Sequence, residues 1–388
     1  MERCIVHMDL DTFFVSVERL RNSELMGKPV IIGGNAERGV VASCSYEARR
    51  YGVHSGMAMK MAKRLCPDAL VLRGDLEAYS HHSRIITEIV AESVPLYEKA
   101  SIDEFYFDLT GMDRFFGCER YAAELRQKII RESGLPLSMG ISTNKTVSKV
   151  ATGEAKPNGK QRVWQGLEKP FLSPLPVRKI PMIGAETAKT LQQLGIQRIG
   201  TLQQIAPERL QTVFGKNGID LWQRANGIDE RAVEPYREEK SISHEHTFDQ
   251  DTIEPSELTG RLVRMAESLG KQLRELGKMG STLTVKIRYA DFNTHSKQMR
   301  IPLTASDEAL MAHAKRLLEQ VWERRQRIRL VGLRVSGLVT GSPQLDLFDG
   351  ISGGNESKKM KLYAAMDQIK NKYGKTAVGR AAGQKPHD

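Results

Sequence analysis

Residues 101–108 read SIDEFYFD, and the predicted strands and candidate site are built outward from them. It places two adjacent carboxylates, Asp103 and Glu104, among residues that favour β-strands. Neighbouring side chains on a strand point to opposite faces, so both acids can serve one site only at a strand end or a turn. Asp9 follows a second apolar run, residues 4–6, and adds a third carboxylate if the two strands pair.

Three clustered carboxylates repel one another unless cations lie between them. Hard divalent ions such as Mg²⁺ prefer oxygen ligands, and this arrangement suits two-metal catalysis of phosphoryl transfer. The alternative is that Asp103 and Glu104 are ordinary surface acids, as most such pairs in strands are. The segments that accompany the pair decide between these interpretations.

Several of these segments follow one another in a characteristic order. They are DTFFVSVE at 11–18, VVASCSYEAR at 40–49, GISTNK at 140–145 and AKPNG at 155–159. Together with residues 7–11 and 101–108, they closely resemble the Y-family (translesion) DNA polymerases, most of all the bacterial DNA polymerase IV group. The resemblance extends from about residue 1 to residue 348. It is specific, because separated motifs occur in the right order and at the right intervals.

The resemblance implies an α+β multidomain fold of the right-hand type, with a ferredoxin-like palm that carries the acids. The hydrophobic patterns divide the chain accordingly. The expected parts are the palm (1–11 and 76–169), small fingers (12–75), a helix-hairpin-helix thumb (170–232), a linker (233–240), an α/β little finger (241–340) and a flexible tail (341–388). Within the tail, residues 355–388 fit one amphipathic helix whose apolar residues are Leu362, Met366, Ile369 and Tyr373.

Charge agrees with a nucleic-acid partner. The net charge is +11, and residues 1–140 carry 18 Lys/Arg against 20 Asp/Glu, whereas residues 141–388 carry 40 against 27. The second part of the chain is therefore a candidate for binding a polyanion. A ribosomal or membrane-surface protein shows the same excess, so charge alone leaves these alternatives open.

The N-terminus and the cysteines predict a cytosolic protein. No apolar signal segment precedes the first predicted strand, and no apolar run approaches the roughly 18 residues of a membrane span. The four cysteines have no CxxC spacing, which predicts reduced, mostly buried thiols and neither a zinc site nor a disulfide framework. We therefore expect a protein of the bacterial cytosol, without a membrane partner.

Family resemblance implies the metal ligands. Metal binding falls to Asp9, Asp103 and Glu104, with the main-chain carbonyl of Leu10 as a further oxygen. The implied cofactor is Mg²⁺, two ions per active site, for which Mn²⁺ can substitute. We expect Asp11, the next acid along the first strand, to be structural.

Family resemblance also implies the nucleotide contacts. The residues expected on the β- and γ-phosphates of a dNTP are Ser43, Tyr46, Arg49 and Lys156. Tyr46 and Arg49 lie three residues apart in a predicted helix and can share a face. Ser43 and Cys44 stand where relatives often have Thr and Ala, a change that keeps the hydroxyl. Phe14 corresponds to the steric gate below the sugar; the alternative is core packing, which we expect of Phe13.

The thumb and little finger hold candidate DNA contacts. The sequence PMIG at 181–184 precedes a predicted helix, and FGKNG at 214–218 is a weaker version; both look like helix-hairpin-helix elements that approach DNA phosphates, with Gly184 as the contact. The alternative is a glycine-capped loop without a ligand. The little-finger sheet of the family lies across the DNA major groove, and the candidate phosphate contacts on it are Lys286, Arg288, Lys297, Arg300, Arg327, Arg329 and Arg334. A solvated strand face also carries such residues.

A motif near the C-terminus indicates a protein partner. Residues 344–348 read QLDLF and resemble the sliding-clamp-binding motif of bacterial replication proteins. Its anchors are Gln344, Leu345, Leu347 and Phe348, since exposed apolar residues in a tail need a partner surface. The alternative is a tail that packs back on its own protein.

These features predict a low-fidelity, template-directed DNA polymerase for translesion synthesis. Its expected partners are primer-template DNA, dNTPs and the β subunit of the sliding clamp, and it is expected to act as a monomer. The alternative is a catalytically idle scaffold that binds the clamp and DNA. The intact acids argue against idleness, because degenerate relatives usually lose their ligands first. A palm-type nucleotide cyclase explains neither the hairpins, the basic third unit nor the tail motif.

Overall fold

The computed structural model describes residues 3–34, 38–112, 117–236, 238–341, 353–374 and 377–380, with only the backbone described for residues 353–360. The chain divides into two compact units, Met1–Arg237 and Glu238–Asp388. Each unit is built around its own buried apolar residues. The described residues contain no helix that is both long and apolar enough to cross a membrane.

Strands of the first unit carry the candidate acids. In its described part they are β1 (Ile5–Leu10), β2 (Val30–Gly33), β3 (Val41–Cys44), β4 (Leu70–Leu72), β5 (Tyr97–Lys99), β6 (Glu104–Asp108), β7 (Leu137–Ser142) and β8 (Lys160–Arg162). The described strands form one sheet of order β5-β6-β1-β7-β8 and a smaller one of order β3-β2-β4. β1 is central, and it pairs antiparallel with both β6 and β7.

Helices cover the larger sheet and build the rest of the unit. In the described residues they are α1 (Phe13–Arg21), α2 (Tyr46–Arg49), α3 (Met59–Leu65), α4 (Leu76–Ser93), α5 (Cys118–Ser133), α6 (Lys145–Ala155), α7 (Glu168–Leu172), α8 (Ala185–Gln193), α9 (Ile199–Gln203), α10 (Pro207–Phe214) and α11 (Lys216–Ala225). α4 and α5 bury Ile86, Val90, Leu125 and Ile129 with the apolar residues of β1 and β6. Helices α7 to α11 contribute to a separate apolar cluster that includes Leu172, Leu191, Leu202 and Leu210.

Helix α6 lies directly against β7 because Gly140 has no side chain. A Cβ at Gly140 would lie 2.1 Å from the carbonyl oxygen of Ser148 and 2.5 Å from the amide nitrogen of Thr152, so no other residue fits there. Asn144 begins the helix by accepting a hydrogen bond from the Val147 amide at 3.0 Å. This close packing brings the polar residues of α6 to the acids of β1 and β6.

The second unit is a four-stranded antiparallel sheet backed by helices. Its described elements are β9 (Ser241–Thr252), α12 (Pro255–Glu275), β10 (Lys278–Tyr289), β11 (Thr294–Thr304), α13 (Asp307–Val321), β12 (Ile328–Thr340) and α14 (Gly353–Tyr373). The strand order is β11-β10-β12-β9. Leu283, Val285 and Ile287 of β10 are buried with α12 and α13, so the alternate residues Lys286 and Arg288 lie on the opposite face.

The predicted flexible tail is wrong for the described residues of α14, which pack on the second unit. Tyr363 is 1 % exposed, its ring lies 4.8 Å from the guanidinium of Arg274, and its hydroxyl lies 3.1 Å from Ser306 Oγ. Arg274 also donates to Asp367 at 2.8 Å, and Lys370 lies 3.5 Å from Glu267. An amphipathic helix was predicted here. The face of the helix that packs on the second unit is the polar one.

Three of the four apolar residues predicted for α14 face away from this contact, whereas Met366 is half-buried. Leu362 is 56 % exposed, Ile369 39 % and Tyr373 67 %. The predicted clamp motif at residues 344–348 lies outside the described residues. The predicted burial of the cysteines is confirmed, since Cys4, Cys44, Cys66 and Cys118 are all buried.

Candidate active site

The acids singled out in the sequence lie at one end of the β1–β6 pair. The register places Asp9 opposite Glu104. The amide of Leu10 donates to the carbonyl oxygen of Asp103 at 3.0 Å. Asp103 immediately precedes β6, so the strand-end geometry required for two adjacent acids is present. The predicted pairing of the two strands is confirmed.

A lysine ammonium group neutralises each of two carboxylates. Lys156 donates to Asp9, and Lys149 of α6 donates to both oxygens of Glu104 at 2.6 and 2.5 Å. The side chains of Asp9 and Glu104 are 14 % and 22 % exposed. The site therefore already holds positive charge where cations are expected.

Burial affects the protonation of these two acids differently. Desolvation raises the pKa of Asp9 to about 7, although the ammonium of Lys156 opposes this shift. Desolvation also acts to raise the pKa of Glu104, but the interactions with His7 and Lys149 outweigh it and hold that pKa well below its usual range. Glu104 is thus the more firmly ionised of the pair.

The carboxylate of Asp103 is directed elsewhere. It accepts a hydrogen bond from Ser101 Oγ at 2.5 Å. Within the part of the chain that the structure describes, no three His, Cys, Asp or Glu side chains are gathered closely enough to hold a metal ion. The backbone thus places Asp103 beside Leu10, while its carboxylate is bonded to Ser101. The donors themselves are oxygens, which suits a hard divalent cation.

Asp11 has the structural role that the sequence predicts. It is 1 % exposed and accepts hydrogen bonds from Tyr46 at 3.1 Å, from Ser138 at 2.9 Å and from the Asn158 amide at 2.6 Å. These bonds connect β1 to α2, to β7 and to the turn after α6. Burial, and then the charge of Asp11, raise the pKa of the Tyr46 hydroxyl, so this hydroxyl remains a hydrogen-bond donor.

The proposed phosphate-binding residues lie on β3, on α2 and after α6. Ser43 is on β3 and is 9 % exposed. Tyr46 and Arg49 share a face of α2 as predicted, since the Arg49 guanidinium lies 5.1 Å from the centre of the Tyr46 ring. Lys156 is near Tyr46, because its ammonium binds Asp9 and lies 3.9 Å from the same Asp11 oxygen that accepts the hydrogen bond of Tyr46.

The two adjacent phenylalanines of α1 have different surroundings. Phe13 is 2 % exposed and belongs to the main core of the unit, which confirms the role predicted for it. Phe14 is only partly buried, and its ring stacks on Tyr79 at a centroid distance of 4.3 Å and an angle of 11°. Tyr79 in turn donates to Glu18 at 2.7 Å, which fixes the ring beneath Phe14.

Sequence reasoning missed Lys149 and His7. His7 is buried; its Nδ1 lies 2.8 Å from Thr152 Oγ1 and its Nε2 3.9 Å from a Glu104 oxygen. Burial lowers the pKa of His7 to about 4, so the ring is neutral at pH 7. The sequence did carry a signal for Lys149, because Asn144 is a typical N-cap residue and Lys149 lies one turn beyond Lys145 in the helix that follows.

The candidate DNA contacts of the second unit have varied partners. Lys286 forms an ion pair with Glu245 at 2.9 Å. Gly332 lies between them in the sheet, and a Cβ at this glycine would lie 2.9 Å from Glu245 Cγ. Arg288 donates to Thr294 at 2.8 Å, and Arg329 lies 4.5 Å from the ring of Phe292. The remaining ones are exposed: Lys297, Arg300, Arg327 and Arg334. In the first unit, Gly184 begins α8, and a Cβ there would meet nothing within 4 Å.

Family models match most of the chain. A model described as the impB/mucB/samB family matches residues 8–153, and its C-terminal domain model matches residues 239–347. A model described as the DNA polymerase-iota thumb domain matches residues 178–229. The matched ranges include the acids, the two thumb hairpins and the basic sheet.

Individual proteins agree with these matches. A protein named DNA polymerase IV from Dehalococcoides mccartyi is 38 % identical over 97 % of this chain and 96 % of its own length. A protein of the same name from Treponema denticola is 34 % identical over 97 % and 96 %. Among solved structures, a Y-family DNA polymerase chimera built on Dbh is 25 % identical, covers 87 % of this chain and 100 % of its own, and has a TM-score of 0.78.

The fold and these matches define a template-directed DNA polymerase. The chain belongs to the Y-family of DNA polymerases, as the resemblance of its motifs indicated. It is accordingly a DNA-directed DNA polymerase of translesion synthesis and a metal-dependent nucleotidyltransferase. Nothing in the part of the chain that the structure describes favours the idle scaffold.

Proposed function

We propose that Asp9, Asp103 and Glu104 bind the catalytic metal ions, with the carbonyl oxygen of Leu10 as a further donor. The observation that carries this proposal is the β1–β6 register, which puts Asp9 opposite Glu104 with an ammonium group on each carboxylate. When bound, two Mg²⁺ ions per active site, or Mn²⁺ in their place, would activate the primer 3′-hydroxyl and neutralise the triphosphate. Asp103 would hold a metal ion in place of its hydrogen bond with Ser101.

The protein supplies positive charge for the triphosphate. Lys156 releases Asp9 and binds the β- and γ-phosphates, so that its ammonium is paired both before and after nucleotide entry. Tyr46 and Arg49 approach the same phosphates from α2, and their mutual contact holds them in place beforehand. The hydroxyl of Ser43 on β3 completes the set. Since Tyr46 already bonds to Asp11, the phosphate contacts are tied to the strand that carries Asp9.

The remaining residues bind sugar and DNA. Phe14, supported by Tyr79, excludes the ribose 2′-hydroxyl. Gly184 and the basic sheet of the second unit contact DNA phosphates, with Lys286 giving up Glu245 when DNA binds. The proposed parts are the palm, fingers, thumb, linker and little finger with the boundaries predicted from the sequence, and the protein acts as a monomer in the bacterial cytosol.

Primer extension tests this function directly. With primer-template DNA, dNTPs and Mg²⁺, we expect template-directed incorporation that stops when a chelator removes the metal. Binding of DNA without extension in either Mg²⁺ or Mn²⁺ would instead indicate a scaffold. Nucleotide conversion without a template would indicate a cyclase.

We propose that residues 344–348 bind the β sliding clamp. The support is the sequence QLDLF, with its aliphatic and aromatic anchors. Changing Leu347 and Phe348 together to Ala should remove stimulation of primer extension by the clamp while extension without the clamp persists. Changing Leu362, an exposed apolar residue of α14, to Ala is the matched control. Equal stimulation of the double variant and the parent contradicts the proposal.

A further inference from the structure

An exposed aromatic ring lies at the tip of the β10–β11 hairpin in the second unit. Phe292 is 61 % exposed, and its φ angle is 68°. A bulky side chain rarely occupies this left-handed region of the backbone, and such residues persist where the surroundings hold them, often at binding sites. The position of Phe292 therefore needs an explanation beyond chain reversal, which glycine would serve without strain.

The hairpin tip is held in one conformation. The Phe292 amide donates to the carbonyl of Tyr289 at 3.0 Å, and the Tyr289 amide donates to the carbonyl of Asn293 at 2.9 Å. Asn293 bonds to both oxygens of Asp291, at 2.9 Å through its backbone and 2.7 Å through its side chain. The ring is thus presented to solvent on a rigid support, with little ordering required when a ligand binds.

A guanidinium group lies against the ring, and two further arginines lie on the adjoining strand segments. The Arg329 guanidinium lies 4.5 Å from the ring centre, Arg288 lies on the neighbouring strand β10, and Arg327 precedes β12. The carbonyl of Arg327 accepts from the Ala290 amide at 3.0 Å, which fastens the start of β12 to the tip. The nearest acid in sequence, Asp291, is engaged with Asn293. An aromatic ring backed by arginines favours an anionic aromatic ligand over an apolar protein surface.

We propose that Phe292, with Arg329 behind it, is a stacking site for an unpaired base of single-stranded DNA. Base pairs inside a duplex are stacked on both sides, whereas an unpaired base has a free face for the ring. The arginines would hold the phosphates of the same strand. This inference rests on the polymerase function, in which the template beyond the primer end is single-stranded, and it adds a contact by which the second unit holds that strand.

Binding measurements with the full chain test this site. Phe292→Ala should weaken binding of a primer-template with a 5′ overhang by about 5- to 150-fold, the range of one base–aromatic stack. Phe292→Trp should retain parental affinity, because it can still stack. Leu303→Ala truncates an exposed apolar residue of the same hairpin and should change nothing. Blunt duplex DNA should bind the parent and Phe292→Ala equally.

A fluorescent base locates the contact. 2-Aminopurine placed at successive unpaired template positions should be quenched at one of them by the parent and not by Phe292→Ala. The proposal is overturned if Phe292→Ala quenches the base as the parent does, or if it binds overhang DNA as tightly as the parent. It is also overturned if Phe292→Ala loses affinity for blunt and overhang DNA equally. Far-UV circular dichroism confirms that each variant is folded. These readouts need no catalysis, so a failure of the polymerase function would appear separately, as absent extension by the parent.

Discussion

Replacing Glu104 by alanine is expected to abolish nucleotide incorporation, with a loss of about 1000-fold or more. Metal-assisted charge stabilisation contributes several kcal/mol to such reactions, and each 1.36 kcal/mol corresponds to about tenfold in rate. The variant also leaves the ammonium of Lys149 without its carboxylate, which repels an incoming cation. Asp103→Ala should have a comparable effect, because its backbone lies beside Leu10 at the same strand end.

Single-turnover extension and DNA binding, measured on the same variants, separate chemistry from DNA affinity. Affinity for primer-template should stay within a few-fold of the parent, because the proposed DNA contacts lie on other elements. Asp108→Ala is the matched control, since Asp108 ends the strand that Glu104 begins and is far from the site along β6. Retention of more than about a tenth of parental extension by both Glu104→Ala and Asp103→Ala would refute the metal assignment.

The backbone positions of the acids could be predicted from the sequence, because side chains alternate between the two faces of a strand. Two adjacent acids serve one site only at a strand end, and Glu104 does begin β6. The partners of the acids could not be predicted in this way. Lys149 and Lys156 lie 45 and 147 residues from Glu104 and Asp9, and only the packing of α6 on Gly140 brings the first of them into reach.

Strand β9 was not predicted, and its composition explains why. Its alternate residues Ile242, His244, His246 and Phe248 are more buried than their neighbours, but two of the four are histidines. His244 Nε2 lies 3.2 Å from Gln272 and from Ser268, both on α12, so a polar residue occupies an inward position through hydrogen bonds. A pattern that counts only apolar residues does not detect such a strand.

Helix α14 shows the opposite limit. The apolar spacing of its sequence predicted a helix over residues 355–388. The described helix ends at Tyr373, and the face that packs is held by ion pairs. Arg274 is bonded to Asp307 at 2.7 Å and to Asp367 at 2.8 Å, with the ring of Tyr363 against its guanidinium. Arg274 thus joins two carboxylates and an aromatic ring in charge-assisted contacts, while Ile369 of the same helix is exposed. The spacing of residues along one helix does not predict which polar residues of distant segments contact each other.

Replacing Phe14 by alanine should relax the choice of sugar. The ring lies flat on Tyr79, and its loss opens space where a ribose 2′-hydroxyl would otherwise overlap with it. We expect kcat/KM for ribonucleotides to rise by about 100-fold relative to deoxynucleotides, the range over which a pocket discriminates one added hydroxyl. Deoxynucleotide use should fall only modestly, because Arg49 and the acids are unchanged. Single-nucleotide insertion with matched dNTP and rNTP measures both values.

Phe13→Ala is the control, since it removes the same ring from the neighbouring position. Phe13 is 2 % exposed in the main core, so its truncation should lower the free energy of unfolding by roughly 3–5 kcal/mol without relaxing sugar choice. Because Phe14 is only partly buried, Phe14→Ala should lower the free energy of unfolding by less. If Phe13→Ala relaxes the choice of sugar and Phe14→Ala does not, the gate is on the other side of α1. The stacking of Phe14 on Tyr79, whose hydroxyl is fixed by Glu18, argues that the gate is Phe14.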